Sequence, residues 1–210
     1  MPINSKESLK NLKKEVVQCK KCLDLVKTRK QPVPGDGIPN AKILIIGHYP
    51  KEKGAENSGI PFTNDSSGVF LRNVLKETGL SLQNDTYLTY LVKCTPRDIV
   101  SKSPLKTKTI TPSEEHVDNC ISYLTEEISI TTPHILIPLG LDVSNIILDK
   151  FFSVEEKVTD MSEIHMRVFE NPSFKMVPFY EPADVFIRNI VSEEKFIEDF
   201  KTLSGLLKVV

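Results

Sequence analysis

Apolar residues alternate between two periods along this chain. Over residues 5–17, Leu9, Leu12, Val16 and Val17 recur at helical spacing, with Asn4 or Ser5 available as a cap. Residues 31–40 hold three prolines and two glycines and are expected to be loop. Residues 42–47 (Lys-Ile-Leu-Ile-Ile-Gly) form an unbroken apolar run ending in glycine, the pattern of a strand buried on both faces. A polar loop follows over 48–67, then a helix over 68–79 with Val69, Leu71, Val74 and Leu75 inward. Further strands are expected at 86–92, 134–140 and 175–179, with one near 164–169, and helices at 112–128, 141–148 and 192–207; residues 96–110 read as a basic loop. Strands alternating with helices predict an α/β fold, a central parallel sheet of about four strands covered on both faces. Ligands of such sheets bind beyond the carboxyl ends of the strands. Those ends are Gly47-His48-Tyr49-Pro50, Lys93-Cys94-Thr95-Pro96, Leu139-Gly140 and Tyr180-Glu181-Pro182.

Size and charge narrow the picture. The 210 residues, 40% of them hydrophobic, suffice for one ordinary core with a small appendage. One domain over 1–210 is expected, the helix and cysteine pair of 1–40 packing on a core of 41–210. No apolar run approaches the roughly 20 residues of a membrane span, and the opening Met-Pro-Ile-Asn-Ser-Lys lacks the apolar stretch of a secretory leader. A cytoplasmic protein, at the nucleoid if it binds DNA, is the expectation. The net charge of −1 is unevenly spread: from Lys6 to Lys30 nine basic residues face three acidic ones, and between Lys93 and Lys108 five face Asp98 alone. These segments suggest a phosphate-contacting surface, with Lys93 and Arg97 as the phosphate candidates. The alternative is a solvated lysine-rich surface. The acidic stretch 114–170 offers a docking surface for a protein partner.

The four cysteines are distributed as Cys19-Lys-Lys-Cys22, then Cys94, then Cys120. A close pair followed by two distant singles suits one four-thiolate site, and soft thiolates select zinc or an iron–sulfur cluster. Two disulfides, unrelated buried thiols or a redox pair are the alternatives; disulfides are disfavoured without a mark of secretion. Both basic segments contain cysteines, so a shared site would draw them onto one face.

The ordered motifs resemble a known family. Cys19-Lys-Lys-Cys22-Leu23, Thr28-Arg29 and Val33-Pro34-Gly35-Asp36-Gly37 look like the opening of family-four uracil-DNA glycosylases. Gly59-Ile-Pro61-Phe62, Gly68-Val-Phe-Leu71, Val92-Lys93-Cys94, Thr111-Pro112-Ser-Glu-Glu115, Cys120-Ile-Ser-Tyr123-Leu124 and Pro133-His-Ile-Leu-Ile-Pro-Leu139-Gly140 match later motifs in order. The resemblance implies a three-layer α/β/α sandwich, a 4Fe–4S cluster on Cys19, Cys22, Cys94 and Cys120, DNA as partner, and base-excision chemistry. The site motifs depart from the family's. The family's G-E-A-P-G is here Gly47-His48-Tyr49-Pro50-Lys51, its base-reading asparagine is Tyr90, and its H-P-A or H-P-S is Glu181-Pro182-Ala183. The segment between Cys94 and Cys120 is also longer than is usual there.

Two readings follow. In one, His48 and Glu181 face each other across the pocket with exchanged roles, Glu181 stabilising the sugar cation or activating water and His48 donating to the leaving base, so that substrate preference has shifted. In that reading Tyr49, Phe62 and Tyr90 line the base site. In the other, the chain is a glycosylase-fold protein that binds DNA or a partner without cutting. A filled base pocket favours the second. His116, near Cys120 on a helix, is expected at the surface.

Overall fold

The computed structural model describes residues 5–102 and 105–207. Its elements run α1 (Ser5–Gln18), α2 (Leu23–Thr28), β1 (Asp36–Gly37), β2 (Ile43–Gly47), α3 (Ala55–Ser58), α4 (Ser66–Glu77), β3 (Thr86–Tyr90), β4 (Arg97–Lys102) and β5 (Leu105–Thr109). There follow α5 (Glu114–Thr131), β6 (Ile135–Pro138), α6 (Leu141–Phe152), β7 (Phe169–Glu170), β8 (Lys175–Met176), α7 (Pro182–Phe186) and α8 (Glu193–Leu207). Asn4, the other candidate cap of α1, lies outside the described residues.

The main sheet has the order β1-β3-β2-β6-β8-β7. Its four central strands are parallel, as the apolar runs predict, and short antiparallel strands close both edges. β2 is buried at every position, and alternation along it divides the interior into two. Ile43 and Ile45 point into a core with Leu71, Val74, Phe179, Phe196 and Phe200, under α4 and α8. Leu44 and Ile46 point into a second core with Leu25, Leu124, Val143 and Ile147, under α2, α5 and α6. Helices therefore cover both faces, which makes the α/β/α sandwich.

Several local expectations change. The basic loop 96–110 is a hairpin, β4 pairing with β5 in a separate two-stranded sheet. The strand placed near 164–169 reduces to turns ahead of the two-residue β7, and the fourth core strand is regular only over Lys175–Met176, continued by a parallel bridge from Leu139 to Phe179. Helix α4 begins two residues early because Asp65 caps it, its Oδ1 accepting the Gly68 N–H at 3.0 Å. Its inward face carries Phe70, Leu71, Val74 and Leu75, while Val69 is 48% exposed.

Candidate functional site

Gly47 and Tyr90 end β2 and β3 side by side in register, and the candidate site grows from this pair. Tyr90 is buried and its ring stacks on Phe62, with centroids 4.7 Å apart and planes inclined by 29°. The Phe62 N–H donates to Tyr90 Oη at 2.9 Å. Phe62 sits in the left-handed region at φ 53°, an uncommon place for a bulky residue. Its turn is clamped from behind: Arg72 donates to the carbonyls of Pro61 (2.6 Å) and Phe62 (2.9 Å). A Cβ on Gly68 would lie 2.6 Å from the Phe62 carbonyl carbon, so only glycine admits this packing. Burial lifts the Tyr90 hydroxyl's pKa far above its usual value, with the Phe62 N–H working the other way.

His48, Tyr49, Phe62, Tyr90 and Glu181 line one cavity of about 40 Å³. His48 is mostly buried, with Nδ1 3.9 Å from Asp142 Oδ2 and its ring against Tyr49. Burial holds its pKa below 6.5; Asp142 opposes that shift and Lys51 adds to it. Burial and then the Glu181 carboxylate raise the Tyr49 pKa, and Lys51 Nζ stands 4.9 Å over the Tyr49 ring. Glu181 opens α7, where its N–H donates to Asp184 Oδ2 at 3.0 Å. Its own carboxylate accepts from Arg188, which also holds Asp184 Oδ1 at 2.6 Å. The fold thus brings all five predicted pocket residues together, and it adds Asp142 and Arg188 as partners of the two ionisable ones. On the other side of His48 a cleft of about 440 Å³ is rimmed by Glu114, Asp118, Asp142, Glu155 and Glu156.

The two phosphate candidates require correction. Lys93 is 1% exposed, its Nζ bonded to Glu127 Oε2 (2.7 Å), Thr89 Oγ1 (2.5 Å) and the Tyr90 carbonyl (2.8 Å). Arg97 is 4% exposed, paired with buried Glu56 and donating to the Thr28 carbonyl at 2.8 Å. Neither cation can reach a phosphate; each neutralises a buried carboxylate, without which its burial would be prohibitive. His116 is likewise buried, joining α5 to α2 through Asp24 at 2.8 Å and capping α5 with Ser113.

The four cysteines are free thiols, three of them buried and Cys19 partly so. They lie close enough to repel one another as thiolates. Burial first, then neighbouring sulfurs, pushes Cys22 up to about 11 and raises Cys120. Burial pushes Cys94 up to about 12 although Arg29 works against it. Arg29 Nη1 donates to Cys94 Sγ at 3.0 Å. Arg29 also donates to the Cys19 carbonyl, tying the first cysteine segment to the second. Among the described residues no three His, Cys, Asp or Glu side chains gather closely enough to hold a single metal ion.

Comparison with known proteins agrees with this architecture. The model of the uracil DNA glycosylase superfamily matches residues 34–201. The type-4 uracil-DNA glycosylase of Archaeoglobus fulgidus is 30% identical over 207 residues, spanning 95% of this chain and 94% of that protein. That of Sulfurisphaera tokodaii is 32% identical, spanning 95% and 85%. The solved structure of wild-type SMUG2 from Pedobacter heparinus superposes with a TM-score of 0.61 at 16% identity, covering 81% of this chain and 77% of that one, a likeness of fold. The matched motifs, the sandwich and relatives aligned along almost the whole length lead to one assignment: the chain belongs to the uracil DNA glycosylase superfamily, in its type-4 branch.

Proposed function

We propose that this chain is a single-domain DNA-binding iron–sulfur protein on the glycosylase fold, whose base pocket is closed and which does not excise uracil in the ordinary way. The stack of Tyr90 on Phe62 carries this reading. A glycosylase must receive a flipped base and hold it between a stacking ring and hydrogen-bonding groups. Here the stacking face of Phe62 is covered by Tyr90, whose hydroxyl is already committed to the Phe62 N–H. The remaining cavity of about 40 Å³ is far below the roughly 150 Å³ that admits benzene, which is smaller than any nucleobase. Glu181, held by Arg188, is drawn toward its own helix.

The donor set suits a 4Fe–4S cluster on Cys19, Cys22, Cys94 and Cys120. Four free thiols, with the Arg29 guanidinium donating to Cys94 Sγ at 3.0 Å, offer the soft ligands and the kind of outer-shell hydrogen bond by which iron–sulfur centres set their potential. A close pair, Cys19 and Cys22, with Cys94 and Cys120 brought in from distant segments, is the all-thiolate donor set that iron–sulfur clusters use. When bound, such a cluster supplies a one-electron couple and a cross-link. Arg29 would orient the Cys94 sulfur, and burial excludes water from Cys22, Cys94 and Cys120.

The test combines excision and binding. Purified protein should bind duplex and single-stranded DNA with affinity that declines steeply with salt, and release no base from uracil-, hypoxanthine- or xanthine-containing strands. Uracil release at rates typical of type-4 enzymes would overturn the proposal. A second reading has one observation in its favour: His48 and Glu181 line the same cavity, as an enzyme of altered specificity requires. Release of any base that Glu181→Gln abolishes would establish it.

A further inference from the structure

We propose that the β4–β5 ribbon is a DNA-docking arm, lying along duplex DNA with Lys106 and Lys108 on its phosphates. This rests on the DNA-binding reading above and names the surface that performs it. The ribbon is inserted between two of the cysteines, Cys94 and Cys120, and emerges at the carboxyl end of the main sheet. Only its base is sunk in the protein, where Arg97 pairs with Glu56 and reaches the Thr28 carbonyl. Beyond that anchor Asp98, Ile99, Val100, Lys102, Lys106, Lys108 and Thr109 are all exposed. An isolated two-stranded ribbon is marginal in water, so the buried ion pair at its root is what fixes its direction.

The charge pattern selects the occupant. Lys102, Lys106 and Lys108 are offset by Asp98 alone, which lies opposite Lys108 in the register. Side chains two apart on a strand share a face, so Lys106 and Lys108 project together about 6.7 Å apart. The other face presents Ile99 opposite Thr107, with Ile99 43% and Val100 61% exposed. A two-stranded ribbon fits the major groove, where lysines meet phosphates and apolar side chains lie against base edges. The pairing shifts between Ile99 and Ser101, a bulge that bends and twists the ribbon. A protein partner would call for acidic complementarity on its own side, and direct binding of a labelled duplex separates the two.

The experiment is fluorescence anisotropy of a labelled duplex against the cluster-loaded, full-length protein across a salt series. Each phosphate contact contributes about 0.9 to the slope of log K against log salt. The double variant Lys106→Gln/Lys108→Gln should flatten the slope by about 1.8, with several-fold weaker binding at moderate salt. Lys106→Arg/Lys108→Arg should restore both. Lys42→Gln/Lys175→Gln, at the opposite end of the sheet, should leave the slope unchanged. Circular dichroism and the visible spectrum confirm that each variant is folded and loaded. Wild-type protein that shows no salt-dependent binding refutes the DNA reading itself. Wild-type binding with a slope that the ribbon glutamines do not alter refutes the arm alone.

Discussion

Lys93→Met would remove the cation from one of two fully buried ion pairs among the described residues, the other being Arg97–Glu56. Lys93 and Glu127 side chains are 2% and 1% exposed at 2.7 Å. With the ammonium gone, Glu127 keeps only Thr89 Oγ1 at 2.8 Å and Tyr87 Oη at 3.4 Å. Methionine fills nearly the same volume, so the loss is electrostatic and not a cavity. Breaking a buried pair from one side costs about 3–5 kcal/mol, a large share of the roughly 5–15 kcal/mol that holds a domain together. At about 2–4 °C per kcal/mol for a chain of this size, melting should fall by about 6–20 °C. Replacing both partners, Lys93→Met/Glu127→Leu, should recover most of the loss, because no charge is then left without its counter-ion. The assay is urea unfolding followed by circular dichroism, on metal-free and reconstituted protein, with the four corners of the cycle compared. A single variant within about 1 kcal/mol of wild type, or a double variant no better than the single one, would refute the argument.

Arg29→Gln should lower the reduction potential of the reconstituted cluster by about 59 mV or more, tenfold in a one-electron equilibrium, because it removes a cationic donor 3.0 Å from Cys94 Sγ; dithionite titration reads this, and an unmoved potential contradicts it. His48 should titrate below 6.5 by NMR, and Asp142→Asn should drive it lower still by removing the opposing carboxylate. Since the unfolded chain then takes up the proton first, His48 contributes stability above about pH 6.5 that is lost as pH falls; a flatter profile in His48→Asn checks the sign. Gly47→Ala should cost about 1–3 kcal/mol, its Cβ falling 2.7 Å from Phe62 Cζ and 2.9 Å from the Tyr90 ring. Near-ultraviolet circular dichroism should report the displaced stack, and an unchanged spectrum would sink that account.

The central strands were legible because β2 and its neighbours are apolar on both faces, a pattern that does not depend on context. The edge strands β1, β7 and the regular part of β8 have two residues each, too few for any period to register. The ribbon was misread because its strands have no buried face: exposed lysines and threonines look like loop when no core imposes alternation. Lys93 and Arg97 were misassigned for a related reason, since charge alone does not reveal burial. A signal for Lys93 did exist in its partner: Glu127 lies seven residues after Cys120 and three after Leu124, on the inward stripe of α5. A carboxylate on an apolar stripe calls for a buried cation. Nothing comparable announces Glu56, Arg29 or Arg188, whose roles depend on segments distant in the chain. The five residues expected at strand ends share one cavity because those ends converge in this fold, whereas the stack of Tyr90 on Phe62 depends on a side-chain rotamer that no sequence pattern encodes.

The left-handed turn at Phe62 bears on how such a pocket changes over evolutionary time. Tyr90 does two things at once, covering the Phe62 ring and accepting the Phe62 N–H. Placing an asparagine at position 90 would uncover the Phe62 ring but orphan a buried donor on an already strained turn, at a cost of about 1–3 kcal/mol. The turn thus restricts how this cavity can open: a change at position 90 alone removes the acceptor of the Phe62 N–H, so opening it at no loss of stability takes a second substitution that supplies another.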